Sequence, residues 1–181
     1  GGNSGATYVY DYVELYNLTN ADIDLSTYSL WYGSSTGGTL GQRTPLSGTI
    51  LANGYFLIKF KTNDATVGAV SKVLEDIDAS VTGFNIAGSN FKVAISNSET
   101  APTGADDTSV VDFVGAGTAN DYEGSGTAPA PNATTSISRK LTAAGIQKDT
   151  NDNAADFELT TGGFSPMNSA LGVANFIMAE N

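Results

Sequence analysis

Apolar and polar residues alternate most clearly near the start of this chain. In residues 7–17, TYVYDYVELYN, the side chains of Val9, Val13 and Leu15 fall on one face, and four tyrosines fall on the other with Glu14. A period of two is the pattern of a β-strand with two different faces. The stretch therefore predicts a strand that turns its aliphatic face to a core and its tyrosine face away from it.

Similar short stretches recur along the rest of the chain. They cover residues 27–32, 45–51, 55–60, 91–96, 109–114, 136–141 and 156–160. In 55–60, YFLIKF, the side chains of Phe56, Ile58 and Phe60 share one face, and the Asn53-Gly54 pair just before it is a strong β-hairpin signal. Short strands at this spacing, separated by turn residues, predict an all-β fold of the sandwich type.

Two stretches depart from this rhythm. In residues 66–79, TVGAVSKVLEDIDA, apolar residues recur at near-helical spacing, which predicts one short helix in a connection. Residues 115–134, GAGTANDYEGSGTAPAPNAT, have no periodicity and predict a long surface loop.

Composition narrows the classes of partner and location. The net charge is -11, with 8 Lys plus Arg against 19 Asp plus Glu, which has the wrong sign for binding nucleic acid. No apolar run is long enough to span a membrane, so we expect no membrane insertion. The 21 glycines, the 15% share of charged residues and the absence of His are typical of acidic secreted β-proteins, whereas the absence of Cys leaves the redox compartment open. We therefore expect a secreted, cell-surface location.

A series of stretches, in order, resembles a known family. They are DYVELYN, IDLSTYSLWYG, LSGTILANGYFLIKF, VVDFVGAG, TTSISRK, DTNDNAADFEL and SPMNSA. Together they resemble the bacterial lamin-tail domains, which are small immunoglobulin-like sandwiches of secreted and surface proteins. The resemblance implies an immunoglobulin-like β-sandwich over residues 1–172, with long loops.

The chain departs from that family at one point. Family members carry an apolar first strand before the Gly-rich turn, whereas here nothing precedes Gly1. An apolar segment of that character lies instead at 173–181, and its apolar residues are Val173, Phe176, Ile177, Met178 and Ala179. This segment is predicted to be the displaced strand, which completes either its own sandwich in cis or that of a neighbouring subunit.

Hydrolytic catalysis is disfavoured by the residue types. Without His or Cys the chain cannot form a Ser-His or Cys-His pair or a His-based metal centre. Carboxylate pairs remain at 76/78, 106/107 and 121/123, but nothing in the sequence fixes the separation that glycoside hydrolysis requires. We expect these carboxylates to be solvated loop charges and the protein not to be an enzyme.

One acidic loop is a candidate metal site. In DTNDNAAD, Asp149, Asn151 and Asn153 alternate and Asp156 follows, and calcium prefers such carboxylate and amide oxygens. Ala154 stands where a helical-hand calcium loop has Gly, so the competing interpretation is a set of Asx-turns before the last strand. Calcium is the one cofactor that the sequence suggests.

Two tripeptides fit the N-glycosylation pattern. They begin at Asn17 and Asn132. Asn17 lies within a stretch that resembles the family, so a structural role also accounts for it, whereas Asn132 lies in the predicted exposed loop.

Lysine cross-links to Asn or Asp are a further hypothesis for a sandwich without cysteine. Lys59, Lys92 and Lys140 lie on predicted strands, but their spacing selects no partner.

The tyrosine face has two interpretations. It is either a half-exposed sheet face with cross-strand partners or a contact surface for another protein or glycan. The residues concerned are Tyr8, Tyr10, Tyr12 and Tyr16.

Two functions follow as hypotheses. The first is a non-enzymatic structural protein that forms a surface filament, a homopolymer in which the C-terminal strand of one subunit completes the next. The second is an accessory binding or adhesion module, excised from a larger secreted hydrolase or tandem-repeat surface protein, that recognises glycan or protein.

Overall fold

The computed structural model describes residues 5–61, 77–161 and 165–170. Within them the chain forms short β-strands, one 3₁₀ helix at Leu25–Thr27 and one four-residue α-helix, α1, at Asn153–Asp156. The strands are β1 Tyr12–Tyr16, β2 Ile23–Asp24, β3 Ser29–Ser34, β4 Gln42–Pro45, β5 Thr49–Ile50, β6 Tyr55–Lys59, β7 Ala79–Ser80, β8 Phe91–Ser96, β9 Val110–Ala116, β10 Thr135–Arg139 and β11 Phe157–Thr161.

Two principal sheets organise these strands. One has four strands in the order β4-β3-β8-β9, and the other has three in the order β1-β6-β7. Two small sheets, β2-β5 and β10-β11, lie beside them. All pairs of strands are antiparallel except β6 and β7.

The main core lies between the two principal sheets. Leu30 of β3 and Val93 of β8 meet Phe56 and Ile58 of β6 in one apolar cluster. Val13 and Leu15 of β1, partly buried, pack against the same cluster. Facing sheets that share one core form a sandwich, so the predicted all-β sandwich is confirmed.

The strand predictions hold best where both faces of the strand are buried. The predicted strands 91–96 and 55–60 correspond to β8 and β6, which differ from them by one residue at most. Residues 45–51 were predicted as one strand, which is wrong, because β4 ends at Pro45 and β5 holds only Thr49–Ile50. The strands β2, β4 and β7 are too short or too polar to give an alternating signal.

The predicted hairpin at Asn53-Gly54 is also wrong. Asn53 has a φ of 53°, and the amide of Gly54 donates to the carbonyl of Leu51, so a tight turn does exist. However, β5 pairs with β2 and β6 pairs with β1. The turn therefore moves the chain from a small sheet to a principal one.

The strand predicted over residues 7–17 is shorter in the structure. Of 7–17, only β1 is a strand, and the amide of Thr7 donates to the carbonyl of Ala133. Tyr8, only 7% exposed, packs on Leu57 of β6. The chain here lies across the outer face of the three-stranded sheet.

The two irregular stretches have different outcomes. Residues 66–76 of the predicted helix lie outside the described residues, and Ala79 at its end belongs to β7 rather than to a helix. The predicted surface loop is partly internal, because β9 extends to Ala116 and the side chains of Ala119 and Ala128 are buried. No helix in the described part of the chain is long and apolar enough to cross a membrane.

Candidate functional site

The predicted calcium loop forms a hydrogen-bonded turn around α1. The side chain of Asp152 caps α1 by accepting from the amide of Ala155. Asp156, which is buried, accepts from both the amide and the hydroxyl of Thr150, and Asn151 has a left-handed φ of 54°. These are the Asx-type contacts that the competing interpretation anticipated.

Cations of the protein already neutralise the acidic residues of this loop. Lys148 Nζ lies 2.9 Å from Asp156 Oδ1, and Arg139 Nη1 lies 3.3 Å from Asp149 Oδ1. Burial alone would raise the pKa of Asp156, but the donors of Thr150 and Lys148 outweigh it and lower the pKa to about 2. Arg139 also binds both oxygens of Asp112 on β9, at 2.7 and 2.8 Å.

Asn153 serves a different part of the molecule. Its Nδ2 donates to the carbonyl of Phe113, and its Oδ1 accepts from the amide of Gly115, both at 2.8 Å. Both acceptor and donor belong to β9, and Asn153 is 1% exposed. The side chain thus takes the place that a neighbouring strand would occupy beside β9.

Glu123 also binds the backbone of β9, and we call the two side chains of Asn153 and Glu123 the seal of the β9 edge. Its Oε1 accepts from the amide of Phe113 at 3.1 Å, and its Oε2 accepts from Nδ2 of Asn153 at 3.3 Å. Burial, followed by the negative charge of Asp112, raises the pKa of Glu123 to about 7. On the sequence alone, Glu123 is considered only as one member of a carboxylate pair with Asp121. In the structure Asp121 has a different partner, because it accepts from the amide of Ala105.

Of the four predicted calcium ligands Asp149, Asn151, Asn153 and Asp156, Asn153 therefore points away from the two carboxylates. Asn153 faces β9, whereas Asp149 and Asp156 face Arg139 and Lys148. Within the described ranges no group of three or more acidic residues is arranged to hold a metal ion. Calcium binding stays a prediction. A calcium ion at Asp156 would have to displace the side chains of Lys148 and Arg139.

The outer edge of β1 contrasts with that of β9. The backbone carbonyl of Asp11 accepts from the amide of Phe60, and the backbone amide of Asn17 donates to the carbonyl of Gly54, so the backbone groups of odd-numbered positions face β6. Backbone groups alternate along a strand, and those of Tyr12, Glu14 and Tyr16 therefore point away from β6. No strand among the described residues pairs with this edge.

The chain returns to this sheet near its C-terminus. The amide of Met167 donates to the carboxylate of Glu14, and Ser169 donates through its amide and its hydroxyl to Asp78. Residues 165–170 therefore run from β1 towards β7. The predicted donor strand, with Val173, Phe176, Ile177, Met178 and Ala179, lies outside the described residues.

The tyrosine face is mostly packed within the protein. Tyr8 meets Tyr12 edge to face, with ring centres 5.7 Å apart, and Tyr16 contacts its cross-strand neighbour Tyr55. Tyr10 lies under the ammonium of Lys59 at 4.5 Å. Tyr8 is buried, so it adds nothing to an exposed contact surface.

The two predicted glycosylation residues differ in their surroundings. Asn17 is 2% exposed, and its Nδ2 donates to the carbonyls of Ala21 and Leu51. That nitrogen would carry the glycan, so the folded geometry favours the structural role. Asn132 is exposed, and its Oδ1 accepts from Thr134 in an Asx-turn.

The three lysines considered for cross-links have distinct partners. Lys59 stacks on a tyrosine, and Lys140 donates to the carbonyl of Ala155. Lys92 is 3% exposed and donates to the carbonyl of Gly37 and to Oδ1 of Asn120.

The chain matches no protein-family model, no curated protein and no solved structure.

Proposed function

We propose that this protein is a non-enzymatic extracellular structural protein whose copies form a filament by strand donation. Residues 173–179 of one copy would pair with the outer edge of β1 in the next. The observation that carries the proposal is the set of outward backbone groups on β1, which no described strand satisfies. An unpaired edge is a template for another strand.

The two faces of β1 suit this occupant. On the inner side Val13 and Leu15 join the main core, and on the outer side Tyr12 packs with Leu57. A strand added beside β1 would thus have an apolar neighbour on each side. The segment 173–179 is apolar on both sides, with Phe176 and Met178 on one and Ile177 and Ala179 on the other.

The course of residues 165–170 supports donation to a neighbour. They cross the sheet from Glu14 on β1 to Asp78 beside β7, which is the direction away from the unpaired edge. The Asp78 carboxylate also accepts from the amide of Leu57 in β6, so two to three strand spacings, about 10 to 14 Å, separate Ser169 from a strand added outside β1. The four residue steps from Ser169 to Val173 reach at most about 14 Å when fully extended, so closure in cis would need an immediate reversal of the chain.

A head-to-tail contact of this kind produces a ring or an open filament rather than a closed dimer. The resemblance to lamin-tail domains supports the same arrangement, because the family's first strand is the one that an incoming segment would replace. The acidic composition, which is typical of secreted β-proteins, is compatible with a surface filament.

The test is removal of residues 173–181, followed by size-exclusion mass and electron microscopy. We expect the full-length protein to form filaments and the truncated protein to be a folded monomer. Ile177→Asp should also prevent assembly, because it puts a charge into the apolar groove, whereas Asn181→Asp, which adds the same charge outside residues 173–179, should not. A full-length protein that is a compact monomer would contradict the proposal and favour a binding module closed in cis.

A further inference from the structure

Lys92 of β8 is a buried lysine in the four-stranded sheet. In the register of the four-stranded sheet it lies between Gly33 of β3 and Gly115 of β9. A Cβ on Gly33 would lie 2.9 Å from Leu40 Cδ2, and one on Gly115 would lie 2.1 Å from the carbonyl oxygen of Asp121. Both neighbours are therefore glycine because two loops close over the sheet at this point.

The buried ammonium has only uncharged partners in the described part of the chain. It donates to the carbonyl of Gly37 and to Oδ1 of Asn120, the latter at 2.8 Å. It makes no ion pair with any described carboxylate. Phe113 and Leu40, both buried, line the same small hollow together with Asp121, whose carboxylate accepts from the amide of Ala105 and makes no ion pair with Lys92. A buried cation without an anionic partner costs free energy.

The side chain of Asn120 is held against this amine. Its backbone amide donates to the carbonyl of Ser35 at 2.8 Å, and its Nδ2 donates to the carbonyl of Thr36 at 3.3 Å. Because a carbonyl bond is about 1.2 Å long, Nζ of Lys92 lies within about 4 Å of Cγ of Asn120. Asn120 is itself exposed, so a small leaving group has a path to solvent.

We propose that Lys92 and Asn120 condense to an intramolecular isopeptide bond. The uncharged amine is the attacking form. The bond from Nζ to Cγ forms, the bond from Cγ to Nδ2 breaks, and a proton from Nζ passes to Nδ2, which leaves as ammonia. The step consumes no oxidant or other co-reactant, and it replaces a buried cation by a neutral amide. The product joins β8 covalently to the segment that follows β9.

A second lysine pair in the molecule offers an internal comparison. Lys148 Nζ lies 2.9 Å from Asp156 Oδ1, a contact as short as that of Lys92. The donors around Asp156 lower its pKa to about 2, and an ionised carboxylate is a poor electrophile. We therefore expect condensation at Asn120 and not at Asp156.

The experiment is the intact mass of the full chain under denaturing conditions. We expect a mass about 17 Da below that of the sequence, the loss of one ammonia, and a protease digest in which the peptides of Lys92 and Asn120 stay joined. Asn120→Ala and Lys92→Met should each have the full mass of their own sequences. These masses do not depend on whether the variants fold.

Other outcomes would overturn the bond. They are a mass equal to the sequence, a gain of about 1 Da from deamidation, a loss of about 18 Da from condensation at an Asp, or a loss of about 17 Da that persists in Asn120→Ala. The bond lies within one chain, so its absence would leave the proposed filament standing, and a failure to polymerise would leave the bond standing.

Discussion

The outer edges of β9 and β1 show two ways of treating a strand at the border of a sheet. Along β9, the side chains of Asn153 and Glu123 take up backbone groups of Phe113 and Gly115. Along the outer edge of β1, no strand in the described part of the chain pairs with the backbone. Exposed edges invite pairing with other chains, so under the proposed function the β1 edge, and not the β9 edge, would accept an incoming strand.

The largest expected effect comes from opening the sealed edge. Asn153→Ala leaves a buried carbonyl on Phe113 and a buried amide on Gly115 without their partners. We expect it to lower the free energy of unfolding by about 3 kcal/mol. Urea denaturation measures the change, with the exposed Asn97→Ala as the control, expected within about 0.5 kcal/mol of wild type. Equal costs for the two variants would show that the seal contributes little.

An intermediate effect should come from pH, because the seal contains Glu123, whose pKa is strongly shifted. Burial also raises the pKa of Glu14 on β1, so the test must separate the two carboxyl groups. The pKa of Glu123 is raised to about 7, above the usual value of about 4.3. Between these two pKa values Glu123 is ionised in the unfolded chain but still protonated in the folded protein. The free energy of unfolding therefore falls as pH rises through this window and is constant above it. The loss should be about 1 to 2 kcal/mol after screening by solvent.

Glu123→Gln should remove this dependence. Urea denaturation at intervals from about pH 4 to about pH 8 would compare the slopes of the two proteins. Parallel slopes would assign the pH dependence to other groups.

The smallest effect on stability, but the most selective one on assembly, should come from the β1 edge. Glu14→Pro removes an amide that points away from β6, a position where an edge strand tolerates proline. Glu14→Ala is the matched control, because both variants lose the contact with Met167 and only the first loses the amide. We expect a stability difference of about 1 kcal/mol or less between them. Only the proline variant should fail to form filaments under the electron microscope, and filaments from both would show that this edge is not the acceptor.

Local patterns located the strands of the core well. In β6 and β8, the apolar residues that form the core are also those that alternate in the sequence. The hairpin at Asn53-Gly54 failed because turn residues determine a local bend, whereas the partner of each flanking strand is chosen by distant residues. Residues 45–51 failed because alternation cannot show where one strand ends and another sheet begins.

The polar residues were harder to interpret from the sequence than the core strands. The calcium site predicted for the acidic loop stays a prediction, and the side chains of Arg139 and Lys148 pair with Asp149 and Asp156 there. The pairing of Lys92 with Asn120 had no signal in spacing, because 28 residues separate them and two loops must fold over the sheet to bring them together.

The sequence by itself determined the all-β class, the aliphatic face of β1 and the exclusion of His- and Cys-based chemistry, because residue types and a period of two are local properties. Only the tertiary structure decided which edge is sealed, which lysine meets an amide and which carboxylate has a raised pKa. Those outcomes depend on burial and on partners far apart in the chain, and neither is encoded within a short window of residues.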